Sequence, residues 1–107
     1  MSGTFGEMGN LLKQAQQMQR ELDRVREELA KTRVEGRAGG GAVRVEVTGD
    51  GMVQKIAIEP ELLASKDKAL VEEAVLAAVR DGLSKANKLR EEKLSKVTGG
   101  LNLPGIL

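Results

Sequence analysis

Cysteine, histidine, tryptophan and tyrosine are all missing from the 107 residues, and Phe5 is the one aromatic side chain. Without cysteine there is no disulfide framework, no thiolate nucleophile and no zinc–thiolate site. Without histidine there is no imidazole base and no usual metal ligand. A single phenylalanine cannot build the stacking platform on which single-stranded nucleic acid is usually held. No apolar run approaches the roughly 20 residues of a membrane span. Nor does the start of the chain carry the apolar core of a secretory signal. These absences predict an intracellular protein with no membrane segment, no metal and no cofactor.

Catalytic constellations fare no better. Serines and threonines are present, but no histidine can act as their base. Glu72-Glu73 and Glu91-Glu92 are neighbours in sequence, and successive helical positions point about 100° apart, so neither doublet makes a paired-carboxylate site. Gly36 to Gly41 has the outer spacing of a phosphate-binding loop, but Ala42 stands where lysine is needed and no helix follows. It reads as a mobile hairpin connection. We expect no enzyme and no small-molecule substrate.

What remains is a chain that is 40% hydrophobic and 31% charged, the size and composition of one folded domain over 1–107. Met8, Leu11, Ala15, Met18, Leu22, Val25 and Leu29 recur at alternating intervals of three and four, a heptad seam of the coiled-coil type. This predicts a long helix starting between Gly6 and Asn10, with Asn10 a candidate N-cap, and ending near Lys31. Residues 1–6 and 101–107 read as flexible or irregular.

From Thr32 the period changes to two. Thr32 to Glu35 reads as a short strand, Val43-Val45-Val47 as a half-buried one, and Ile56 and Ile58 as one face of a third. Asp50-Gly51 is a hairpin signal. The prediction is a three-stranded antiparallel meander. Pro60 then opens a short helical turn through Leu63. Ser65 or Asp67 caps a second long helix over about 67–98, with an apolar stripe of Val71, Val75, Ala78, Val79, Leu83, Ala86 and Leu89. Gly99-Gly100 stops it.

Size gives this α+β arrangement a shape. A compact domain of this length has a radius of gyration near 13 Å. Helices of about 25 and 32 residues measure about 38 and 48 Å. They overshoot a small sheet and need each other, or a second copy, as partners. An elongated homodimer with projecting helical arms follows.

The formal net charge is only +1, but it is unevenly spread. Residues 59–84 hold six acids against three bases, while 85–107 hold five bases against two acids. Lys85, Lys88, Arg90, Lys93 and Lys96 therefore make the end of the second helix basic. If the helices are antiparallel, Lys13 and Arg20 lie beside that end. Cations of this kind neutralise phosphates in sequence-tolerant DNA binding. They also complement a helix C-terminus, and charges on long helices commonly form a solvated face. Charge alone leaves both readings open.

A resemblance bears on that choice. Asn10-Leu11-Leu12-Lys13-Gln14-Ala15-Gln16-Gln17-Met18-Gln19 opens a pattern that continues through Val43 to Val47 and Gly49-Asp50-Gly51. It runs on through Ile56-Ala57-Ile58-Glu59-Pro60-Glu61-Leu62-Leu63, Glu72-Glu73-Ala74-Val75, Ala77-Ala78 and Asp81, and closes on Thr98-Gly99-Gly100-Leu101 and Pro104-Gly105. In this order the segments resemble the YbaB/EbfC family of bacterial nucleoid-associated proteins. The resemblance implies a tweezer-like homodimer that binds double-stranded DNA through its helical arms. It also implies a cytoplasmic, nucleoid location, a role in nucleoid organisation and gene expression, and replication or recombination proteins as further partners. On this reading Lys85, Lys88, Arg90, Lys93 and Lys96 contact phosphates together with Lys13 and Arg20. Gln14 and Gln17 hydrogen-bond the backbone or base edges. The alternative is a non-enzymatic scaffold whose arms grip a protein, suggested by the near-neutral charge and by Leu101, Leu103, Ile106 and Leu107.

Overall fold

A computed structural model of the chain describes residues 2–99. Its elements are α1 (Ser2–Lys31), β1 (Arg33–Ala38), a 3₁₀ turn (Gly39–Gly41), β2 (Val43–Thr48), β3 (Val53–Ile58), α2 (Pro60–Ala64) and α3 (Lys68–Thr98). The sheet order is β1-β2-β3 with both pairs antiparallel, the meander expected from the period-two runs. The molecule measures 78 × 25 × 16 Å with a radius of gyration of 20.9 Å, well above the roughly 13 Å of a compact chain of this length. The two long helices set that shape.

Three boundaries differ from the sequence reading. First, α1 begins at Ser2, so Asn10 lies inside the helix rather than capping it, and 2–6 are helical rather than irregular. Glycines lower helix propensity by only about 1 kcal/mol each, and no proline lies in this stretch to break the helix. Secondly, β1 extends to Ala38, so half of the expected glycine-rich loop is paired strand: Gly36 faces Val45 and Arg37 faces Arg44. The connection itself is a single 3₁₀ turn, with Gly39, Gly40 and Gly41 all at positive φ. Thirdly, the β2–β3 hairpin closes through three residues, Gly49, Asp50 and Gly51, with Thr48 and Met52 bonded across its mouth. Gly51 takes φ 93° there, which a side chain would resist. The tail expected to be irregular, 101–107, lies outside the described residues.

The other helix ends follow local chemistry. Thr32 stops α1 by donating its hydroxyl to the Glu28 carbonyl at 2.7 Å. Of the two candidate caps for α3, Asp67 performs the task, accepting the Leu70 amide at 3.1 Å. Ser65 instead donates to the Leu62 carbonyl and accepts the Asp67 amide, closing the link after α2.

Val43, Val45 and Val47 are fully buried on the sheet face that α3 covers. The expected stripe of α3 is the face turned inward, with Val71, Val75, Val79 and Leu89 half-buried, but its fully buried spine is narrower. It is Ala78, Gly82 and Ala86, one small residue per turn, while Leu83 stays 37% exposed. Small residues win because the helix lies almost on the backbone of β1. A Cβ at Gly36 would sit 2.2 Å from the Ala78 carbonyl oxygen and 2.3 Å from the Gly82 amide nitrogen. One at Gly82 would sit 2.7 Å from a Val47 methyl. The helix covers β1 and β2 and leaves β3 at an open edge, so Ile56 remains 45% exposed although it shares a face with Val45.

Gly36→Ala is therefore expected to lower stability by about 3 kcal/mol or more, at the upper end of overpacking costs because backbone must move. Gly82→Ala, meeting a side chain, should cost less, about 1–3 kcal/mol. Urea unfolding of the two variants checks both the size and the order.

Candidate nucleic-acid interface

The crossing of α3 over β1 organises the nearby charges. Next to Gly36, the Arg37 amide donates to the Asp81 carboxylate at 2.9 Å, one residue before Gly82. Lys85 Nζ lies 3.0 Å from the same carboxylate oxygen and donates to the Glu35 carbonyl at 3.1 Å. The amide bond first, and the lysine second, hold the Asp81 carboxyl below the ordinary carboxylate value. One candidate cation, Lys85, is thus committed to fastening helix to strand.

Beyond the sheet, α3 runs on beside α1. Lys93 Nζ is 3.4 Å from Glu28. Lys96 and Val97 share a groove with Gln14, Gln17, Met18 and Glu21. As the α3 number rises the α1 number falls, so the helices are antiparallel. Val25 and Leu29 of the heptad seam are buried inside the chain, Leu22 and Met18 half-buried. The first part of the seam passes the end of α3: Met8 and Leu11 are 63% and 64% exposed.

Each cation and glutamine expected at the interface can now be placed. Lys85 and Lys93 pair with carboxylates of their own chain. Lys13, Arg20, Lys88, Arg90 and Lys96 are exposed and form no ion pair among the described residues. Arg90 donates to Asn87 Oδ1, one turn back. Gln14 and Gln17 are exposed in the groove with Lys96. The arm thus brings Gln14, Gln17 and Lys96 together. Lys88 and Arg90 lie further back along α3. Acids are interleaved: Arg24 is bracketed on α1 by Glu21 at 2.9 Å and Glu28 at 2.6 Å. Exposed pairs of this kind add little stability, and they leave α1 near neutral where it meets α3.

Asp81 was visible in the sequence only as part of the family pattern. Its partner Arg37 is 44 positions away, and no spacing rule connects the two. The Glu28–Lys93 pair spans 65 positions and is equally silent in sequence.

A family model, that of the YbaB/EbfC DNA-binding family, matches residues 5–101. A nucleoid-associated protein of Acetivibrio thermocellus is 45% identical over 97% of this chain and 93% of its own length. One of Ruminiclostridium cellulolyticum is 38% identical over 97% and 91%. The crystal structure of an uncharacterized Helicobacter pylori protein superposes with a TM-score of 0.67 at 27% identity, covering 82% of this chain and 89% of that one.

The Asp81 clasp carries a pH signature. A lowered native value means that the carboxylate stabilises the fold above its ordinary value, and that this contribution fades as pH falls through the lowered one. Thermal melts should therefore lose stability below about pH 4. Asp81→Asn should lower the midpoint at neutral pH and flatten that acid-side loss. An unchanged slope in the variant would assign the acid sensitivity to other carboxylates.

Proposed function

The chain belongs to the YbaB/EbfC DNA-binding family, and from that premise we propose that it binds double-stranded DNA as a homodimer, through the phosphates, with its paired helical arms. The observation that carries this reading is the arm itself. Lys88, Arg90 and Lys96 stand exposed along the last turns of α3, and Lys96 shares a groove with Gln14 and Gln17 of α1. Lys13 and Arg20 extend the basic surface along α1. Lys85 and Lys93 support it from behind by fixing where the helices run. The glutamines donate to phosphate or base edges without adding charge. With Phe5 the sole aromatic, binding rests on charge and not on base stacking. Such a protein belongs at the nucleoid, in the cytoplasm, where it would shape DNA packing and gene expression. Its family is a DNA-binding one and not a family of enzymes.

The dimer is supported by uncovered apolar surface. Val53 and Ile56 on the open edge, Leu63 on α2, and Leu70, Leu76 and Leu83 on α3 are 37–55% exposed. Leu76 and Leu83, two turns apart on one face of α3, and Val53 and Ile56 on the β3 edge are the apolar surface that a second copy would cover. A second copy covering them would also place two arms on one particle. The exposed Met8, Leu11 and Leu12 favour the second reading, arms that grip a replication or recombination protein. That reading requires capture to survive nuclease treatment.

If roughly six to ten phosphates are neutralised per dimer, affinity for random duplex falls about 10³–10⁵-fold between 50 and 200 mM salt. The triple variant Lys88→Ala, Arg90→Ala, Lys96→Ala should shallow the slope of log affinity against log salt by about 0.9 for each phosphate no longer neutralised. A flat wild-type response in a gel-shift titration sinks the phosphate mechanism.

Light scattering should give a mass twice the 11.5 kDa of the chain. Ile56→Glu should shift it towards that of the monomer. A dimer indifferent to this change would place the interface elsewhere.

A further inference from the structure

The sheet has a second face, opposite α3, that is open among the described residues except at Thr48, beside the end of α1, which is buried. By strand parity it carries Arg33, Glu35 and Arg37 on β1, Arg44 and Glu46 on β2, and Lys55 on β3. All six are exposed, and five of them line a shallow open depression of about 400 Å³. The face holds four cations and two carboxylates.

Its register is unusual in one respect. Arg37 lies directly opposite Arg44, and Glu35 directly opposite Glu46. Like charges in facing positions destabilise a sheet, so nothing about folding explains the choice. The repulsion is relieved only in part. Arg37 turns to Glu35, 3.0 Å away. Arg33 reaches Glu46 at 4.0 Å. Arg44 and Lys55 form no ion pair among the described residues, although Lys55 faces Glu46 in register. Two cations without an ion pair, diagonal neighbours on adjacent strands about 7–8 Å apart, are thus presented on an open surface.

We infer that this face is a second binding surface for the phosphate backbone of duplex DNA, distinct from the arms. A protein partner needs an apolar or aromatic anchor to bury, and among the outward positions named here only half-buried Ala57 offers one. Single strands need stacking side chains, and none stands on the three strands. A polyanion requires only the cations that are present. The face is also set apart from the outer arm: about 27 Å of α1 separates Lys13 from the helix end at the sheet, while the innermost arm cation, Lys88, lies one turn beyond Lys85. One particle can therefore touch DNA at two separated places. The inference rests on the DNA-binding reading above and adds a second site to it.

Arg44→Gln with Lys55→Gln tests it, because neither side chain forms an ion pair among the described residues that the change would break. Thermal melting verifies that the variant stays folded. In a salt-titrated gel shift on random duplex, the slope of log affinity against log salt should shallow by about 0.9 for each of the two cations neutralised per chain. Arg44→Lys, which keeps the charge, should restore it. Glu46→Gln should act in the opposite direction, tightening binding and steepening the slope, which a merely damaged sheet would not do. The arm triple variant runs alongside. If it weakens binding while Arg44→Gln/Lys55→Gln keeps wild-type affinity and slope, the second site is overturned and the arms stand. If only the sheet variant weakens binding, the second site stands and the arm reading fails. If neither does, both fail.

Discussion

Everything in this fold hangs on how closely α3 lies against β1. Gly36 meets the α3 backbone at Ala78 and Gly82, at a separation that no side chain on Gly36 could share, and a side chain on Gly82 would press on Val47. That approach sets the height and direction of the helix. The residues next to it then lock the direction with hydrogen bonds: the Arg37 amide to Asp81, and Lys85 to the Glu35 carbonyl. Because the helix is fastened at its middle, its remaining turns are committed to run beyond the sheet. The projecting arm is a consequence of that crossing and needs no separate device.

The arm is held by different means. Where α1 and α3 overlap, the seam residues Val25 and Leu29 bury apolar surface and the Glu28–Lys93 pair bridges the helices. Further out the apolar packing thins and polar side chains face one another across a groove. Rigidity therefore declines from the sheet towards the tip, in step with burial. The root of the arm is held more firmly than its tip.

Charges near such a surface divide by what they touch. Of the four lysines in the second half of α3, Lys85 and Lys93 serve the fold, while Lys88 and Lys96 remain available to a ligand. Helical spacing alone places Asp81 one turn before Lys85, so that pair is local. The rest of the distinction arises from Glu35 at the sheet and Glu28 on α1, which approach only once the chain has folded. The same holds for the start of α1, where local glycines suggested an irregular lead and the helix simply continues.

Periodicity by itself determined the kinds of element and their order, because a side chain's face follows from its spacing along helix or strand. The heptads of α1, the alternation of Val43, Val45 and Val47, the hairpin at Asp50-Gly51 and the Asp67 cap all act within a few residues, where local geometry is decisive. The apolar stripe also marked the buried face of α3, on which Ala78 and Ala86 lie; only the tertiary structure decided how closely that face approaches β1, through Gly36 and Gly82. It alone also decided which cations are spoken for and which charges meet across strands. Those outcomes depend on groups tens of positions apart, and their separation in space is set by packing, for which the linear order carries no measure.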